Sequence, residues 1–199
     1  MEITCLVWTF KAEPLDLDQM CIHLIHEIQK GTVENYKNYN GNGMKKMVAH
    51  IDKIEDPFID PEGDTNKIFF KTKKESVFLF KTGSIKISCK NVSDEFPETT
   101  KMLMESINSV TSRILEIIQG VKITEPKISM MNAQTKLKEF PDPKKFAKVV
   151  EPNIQRKGWR VFRYYVFSGR KFHLAVDKHK RCQIFAAKSI EEIKEKITF

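Results

Sequence analysis

In residues 4–10, Thr-Cys-Leu-Val-Trp-Thr-Phe, apolar side chains fall at both parities, which predicts a strand that needs cover on both faces. Asp16 is placed to cap a helix running to about Lys30, because Leu17, Met20, Cys21, Leu24, Ile25 and Ile28 form one stripe at helical spacing. Residues 31–66 turn polar, with Asn35-Tyr36-Lys37-Asn38-Tyr39-Asn40 leading into an acidic run. They read as an inserted excursion, helical in part over 44–54. Short strands follow over 67–72, 76–80 and 84–90. The links between them, Lys73-Lys74 and Lys81-Thr82-Gly83, are of hairpin length, so an antiparallel meander is expected. In the third strand Ile85, Ile87 and Cys89 alternate with Ser84, Lys86 and Ser88, which assigns the first set to the core and the second to an open face. A helix over 97–119 draws its apolar side from Leu103, Ile107, Val110, Ile114 and Ile118, and Gly120 ends it.

The order then repeats. Residues 127–134 are strand-like, and Asp142-Pro143 opens a helix through Phe146, Ala147, Val149 and Val150. Strands are expected over 159–167, 172–176 and 181–187, with turns at Ser168-Gly169-Arg170 and 177–180. Ser189 and Glu192 then form a capping box for a last helix. Two copies of one topology each leave one sheet face covered by helices and the other bare. The last helix is less than half as long as its first-half counterpart, which leaves the second half short of helical cover.

Charge changes the picture more than composition does. The 199 residues carry 34 Lys+Arg against 26 Asp+Glu, a net +8. Residues 1–120 hold 15 basic and 18 acidic side chains, while residues 121–199 hold 19 and 8, so the excess sits in the second half. An anionic partner is implied, with nucleic acid ahead of a membrane surface because no broad-faced basic amphipathic helix accompanies the charge. No apolar run approaches the ~20 residues of a bilayer span, and the first residues have no signal-peptide pattern, so an intracellular protein is expected. Cys5, Cys21, Cys89 and Cys182 are far apart without a CxxC pair, as expected of buried thiols.

Two regions carry a family resemblance. Residues 4–10 with Leu15-Asp16-Leu17, and Val77-Phe78-Leu79-Phe80 with Thr82-Gly83-Ser84-Ile85-Lys86-Ile87-Ser88, are similar to the first strand, helix start and hairpin of the TATA-box-binding protein (TBP) family. In the second half Ile184-Phe185-Ala186-Ala187-Lys188-Ser189-Ile190-Glu191-Glu192 resembles that family's Gly-Ala-Lys-Ser-Glu-Glu passage. The resemblance covers nearly the whole chain. It implies an α+β fold, a two-repeat TBP-like saddle of residues 1–120 and 121–199, with a curved antiparallel sheet and helices on the convex face; the 31–66 insertion has no family counterpart. It further implies a non-enzymatic protein without cofactors that binds AT-rich promoter DNA, double-stranded, through the minor groove. The partners it implies are a general transcription factor of the IIB type and the RNA polymerase machinery, with no membrane. The Lys and Asn richness is similar to the divergent versions encoded by large DNA viruses of eukaryotes; the location expected of the family is the nucleus, and of a viral version a cytoplasmic virus factory or the virion.

Carried over residue by residue, Thr4 and Met130 stand where the family has its two groove-reading asparagines. Asn132, on the same face as Met130, is a substitute. Leu6 and Trp8 follow Thr4 along the first strand. The family kinks DNA with phenylalanine wedges; Phe80 falls on one wedge position and Trp159 or Arg160 on another. The remaining two fall at Val176 or Asp177 and near Thr65 and Asn66, none of them aromatic, so a smaller bend than the family's is expected. Arg181 and Lys188 match phosphate-contacting residues of the second repeat and Lys71 one of the first, with Ser84 and Asn91 in place of the other lysines. Parity alone sets Lys86 and Ser88 on the open face, and likewise Arg181, Gln183 and Phe185 while Cys182 and Ile184 turn inward, an aromatic ring among donors. Capping of Phe185 by a neighbouring segment is the alternative. DNA contact is expected mainly in the second half.

Other constellations carry less. His23 and His26, three apart with no carboxylate or cysteine at matching spacing, read as boundary residues rather than metal ligands. No glycine-flanked serine, cysteine with an oriented base or paired carboxylates make a case for catalysis. Met44-Lys45-Lys46-Met47 and the acidic 55–64 run read as solvated surface. The competing function is a TBP-fold protein-interaction module that has lost specific TATA binding, to which Asp177, Thr4 and Met130 point.

Overall fold

The computed structural model describes residues 1–40, 45–50, 65–90, 95–119, 121–150, 154–156, 159–166 and 173–197. They form two compact units. Unit N comprises Val7–Lys90 and Ile107–Lys127; unit C comprises Met1–Leu6, Asn91–Ser106 and Ile128–Phe199.

Unit N holds the later part of strand β1 (Glu2–Lys11), helix α1 (Leu17–Gln29), strands β2 (Asn35–Asn40), β3 (Lys45–His50), β4 (Thr65–Lys71), β5 (Glu75–Phe80) and β6 (Ser84–Cys89), and the later part of helix α2 (Thr100–Ile117). Its sheet runs β3-β2-β4-β5-β6-β1, and each registered pair is antiparallel. Asp16 caps α1 as expected, its side chain accepting from the Gln19 amide at 3.1 Å. Leu17, Cys21, Leu24 and Ile28 of α1 are buried, as are Tyr36, Ile68 and Phe70 of the strands it packs against. Ile107, Val110 and Ile114 of α2 are buried too. Each such aliphatic side chain contributes about 1.5–3 kcal/mol. Burial, with the nearby Asp18 charge, pushes the Cys21 thiol up to about 12, so it stays protonated in the core. Gly83 turns β5 into β6 at φ +83°; a Cβ there would meet the Ala12 carbonyl oxygen at 2.2 Å.

The excursion expected over 31–66 is in part sheet. Residues 35–40 pair with β4 on one side and with residues 45–50, expected to be helical, on the other. Tyr36 is fully buried while Asn35, Lys37 and Tyr39 are half-buried, so β2 is a one-sided strand whose polar composition conceals its alternation. Met44 and the acidic 55–64 run lie outside the described residues.

Unit C holds the start of β1, the first part of α2, β7 (Lys127–Lys136), β8 (Lys148–Val150), β9 (Ile154–Arg156), β10 (Trp159–Val166), β11 (His173–Asp177), β12 (Arg181–Ala187) and α3 (Ile190–Ile197). Its path β7-β12-β11-β10-β8 repeats the path β1-β6-β5-β4-β2 of unit N, with β9 paired to β10. The helix expected after Asp142 is a single 3-10 turn, Pro143–Lys145, with Asp142 accepting from the Lys144 amide at 3.0 Å. Val149 and Val150, stiff β-branched residues, go instead into β8 beside β10. The cap of α3 is as expected: Ser189 Oγ accepts from the Glu192 amide at 2.9 Å, and the Glu192 carboxylate accepts from the Lys188 amide at 2.8 Å. The start of α2 supplies the helical cover that α3 lacks. Thr100 Oγ1 accepts from the Ile190 amide at 2.9 Å, and both the hydroxyl and the amide of Thr100 donate to Glu191. Those bonds pull the Glu191 carboxyl down to about 2. Gly120 and the 168–170 turn lie outside the described residues, and no helix among the described residues is long and apolar enough to cross a membrane.

Candidate nucleic-acid interface

Helices cover one face of the unit N strands; strand alternation decides what the other face carries. Ile68 and Phe70, Val77 and Leu79, and Ile85 and Ile87 are buried, so residues 67, 69 and 71, 76, 78 and 80, and 84, 86 and 88 face away from the helices. Cross-strand register sets them in rows: Asn35, Lys71, Ser76, Ser88; then Lys37, Phe69, Phe78, Lys86; then Tyr39, Lys67 and Phe80, with Ser84 next in the alternation. The Phe69 and Phe78 rings meet at 4.8 Å. Lys37 Nζ lies 5.8 Å from the Phe69 centroid, and Lys67 Nζ lies 4.4 Å from Tyr39 and 5.9 Å from Phe78. Exposed cation–π contacts of this kind contribute about 0.5–1 kcal/mol each. The rows contain no carboxylate. Glu75, the acidic residue of β4 to β6, faces the helices, where the Arg113 guanidinium and the Thr72 hydroxyl donate to its carboxylate. At the end of the rows a cavity of about 680 Å³ is lined by Thr9, Phe80, Ser84 and Lys86 and by Thr124, Glu125 and Lys127. The segment after α2 is held there by Thr124, which exchanges hydrogen bonds with the Lys11 backbone at 2.7 and 3.0 Å.

The corresponding face of unit C is amide-lined. Met131 and Ala133 are fully buried, so Met130, Asn132 and Gln134 turn the other way, and Cys182 and Ile184 likewise put Gln183 and Phe185 outward. One row runs Gln134, Gln183, Ala175, Tyr164, Val150. Gln134 Nε2 donates to Glu2 at 2.8 Å. Asn132 Oδ1 accepts from the Ala186 amide at 3.0 Å, where β12 bulges and Ala186 takes φ 60°. Asp177, 1% exposed, accepts from Arg181 Nε at 2.6 Å and from the His179 and Arg181 amides at 2.8 and 2.9 Å. Burial pushes its carboxyl up, but the Arg181 side chain and the two amides outweigh burial and hold it below the usual carboxylate range. Lys188 Nζ donates to the Ser129 carbonyl.

No family model matches the chain, and no curated protein matches it. Among solved structures it is similar to Methanococcus jannaschii TBP, at 13% identity and a TM-score of 0.57, over 98% of this chain and 92% of that chain. The fold is that of a TBP.

Within this TBP fold the expected site residues divide. Phe80, Lys86 and Ser88 lie on the open face of unit N as parity predicts, and Lys71 lies there with its ammonium 3.5 Å from Glu34. Leu6 and Trp8 do not: both are fully buried, and the Trp8 indole N–H donates to Thr111 Oγ1 of α2 at 3.0 Å. A strand apolar at both parities leaves its inward face undecided, and the indole goes where a buried hydroxyl satisfies it. Thr9 lines the cavity instead, and Thr4 is half-buried. In unit C, Met130, Asn132, Gln183 and Phe185 lie on the open face, all half-buried, and the exposed Arg181 and Lys188 bind their own chain. Both candidates for the third wedge position, Val176 and Asp177, are buried. The side chains of Trp159 and Arg160, and Asn91, lie outside the described residues. Lys37, Tyr39, Lys67, Phe69 and Phe78 were missed, although the alternation of Lys67, Phe69 and Lys71 is visible in the sequence.

Proposed function

We propose that the protein is a TBP-like transcription initiation factor that holds AT-rich promoter duplex against its open sheet faces through the minor groove, its helices recruiting the transcription machinery. The observation that carries this reading is the unit N face: three rows that each hold a lysine, two of them with aromatic rings, and no carboxylate among them. Lysines there neutralise phosphates, and apolar rings suit the groove wall and wedge base steps. The amides of Asn132 and Gln183 in unit C add short-range donors, which the A·T minor groove, presenting only acceptors, can use. A protein-interaction module is the second reading, favoured by the engagement of Arg181, Lys188 and Lys71 with groups of their own chain.

Fluorescence anisotropy with AT-rich and GC-rich duplexes of equal length, at low and physiological salt, tests the choice. Tighter binding of the AT-rich duplex, weakening steeply with salt, supports the initiation factor. Failure to bind either duplex at low salt leaves the interaction module.

A further inference from the structure

We propose that the open face of unit N also binds an unpaired nucleic-acid strand, its bases stacking on Tyr39, Phe69, Phe78 and Phe80 and its phosphates lying among Lys37, Lys67 and Lys86. The inference goes beyond duplex binding at the same face, and turns on how the rings are spread over it. Same-face residues along a strand are about 6.6 Å apart, nearly twice the ~3.4 Å rise between stacked nucleotides of a duplex strand. Phe78 and Phe80 stand at that spacing along β5 and suit bases drawn apart, while Phe69, its ring 4.8 Å from that of Phe78, widens the Phe78 surface. A duplex exposes base faces only where a step is pried open, so a set of rings spread over β2, β4 and β5 exceeds what a paired helix can occupy. The interleaving of cation and ring, Lys37 against Phe69 and Lys67 against Tyr39 and Phe78, sets positive charge beside three of the four stacking surfaces. This is the pattern of sequence-tolerant single-strand binding.

The cavity beside Phe80 is a second observation pointing the same way. Its volume of about 680 Å³ falls in the range that accepts a small ligand such as one nucleotide. Lys11, Lys86 and Lys127 outnumber the one carboxylate, Glu125, in its lining and with the hydroxyl-bearing Thr9, Ser84 and Thr124 can serve a phosphate and a sugar, while Phe80 offers a ring to the base. A strand crossing the rows would end with one nucleotide seated there.

Anisotropy of the whole protein with a labelled single strand of about sixteen nucleotides, the same strand carrying abasic sites, and its duplex tests this. Wild-type protein should bind the intact strand about tenfold or more tightly than the abasic strand, and the F69L/F78L variant should lose about tenfold on the intact strand and little on the abasic one. The K101Q variant, which removes an exposed charge on α2 at the helix side, should leave single-strand affinity unchanged. Equal binding of intact and abasic strands by wild-type protein overturns the proposal, a result that needs no variant to fold. The duplex arm separates the two readings: binding of duplex without single strand defeats this inference alone, and stacking-dependent binding of the single strand without duplex supports it while defeating the promoter reading.

Discussion

On the side away from the helices, β2, β4, β5 and β6 of unit N present Lys37, Lys67, Lys71 and Lys86 among aromatic rings, whereas β7, β12, β11 and β10 of unit C present Met130, Asn132, Gln134, Gln183, Ala175, Tyr164 and Phe185, with the cations Lys136 and Arg181 paired in one row. The same strand path thus supports two chemistries. The contrast runs against the charge count, since the basic excess belongs to residues 121–199. A ligand meets one face and not a sum. Unit N turns Glu75 to the helix side and neutralises it with Arg113, while unit C commits Arg181 to Asp177 and the Lys188 ammonium to a carbonyl.

The comparison depends first on which way each strand faces. Trp8→Ala should cost about 3–5 kcal/mol of unfolding free energy, read by denaturant titration, because the indole is core and bonded to Thr111. A loss below about 0.5 kcal/mol would return Trp8 to the open face. Next in size is Arg113→Ala, which leaves the Glu75 carboxylate, only 4% exposed, without its cation. A loss of about 1–3 kcal/mol is expected, and no loss would mean that the open face of unit N is kept free of carboxylate by other means. Asp177→Asn sharpens the contrast from the other side. It should lower stability by about 1–2 kcal/mol and, by releasing Arg181, steepen the salt dependence of duplex binding by about one phosphate's worth. An unchanged slope would remove Arg181 from the nucleic-acid path.

The smallest effect is in acid. In Asp177 burial acts upward but Arg181 and two amides prevail, and in Glu27 the hydrogen bond from Lys30 leads the downward shift. A carboxyl lowered on folding stabilises fully above its unfolded value, about 4, and that contribution fades as pH falls through the lowered folded value. Chemical denaturation between pH 7 and pH 2 should therefore show stability declining below about pH 4, with a shallower decline in Asp177→Asn. Identical profiles would mean that Asp177 has no depressed pKa.

Much of the fold was legible because its signals are local. The α1 stripe with Asp16, the Ser189 cap, the Ile85–Ile87–Cys89 alternation and the inward Cys182 and Ile184 all depend on neighbours within a few residues. What failed depends on partners far along the chain. Trp8 faces inward because Thr111 is there to accept its N–H, and nothing within residues 4–10 reveals that. Residues 35–40 become a strand because β4 offers an edge to pair with, and among its described side chains only Tyr36 is buried to mark it. Val149 and Val150 join β10 for the same reason, over the helix start that Asp142-Pro143 announces. Of the site, single residues such as Phe80 and Lys86 were visible, while the rows that unite them with Lys37 and Phe69 needed the register.

The salt dependence of duplex binding tests most directly whether unit N carries the electrostatic contact. The slope of log affinity against log salt is to be compared between a variant with Lys37, Lys67 and Lys86 all changed to Gln and one with Arg181 and Lys188 changed to Gln. The triple variant should lose about 2–3 in slope, near 0.9 per phosphate contact, and the double variant less than about 1. A slope unchanged in the triple variant and reduced in the double one would contradict the assignment and move the contact to unit C.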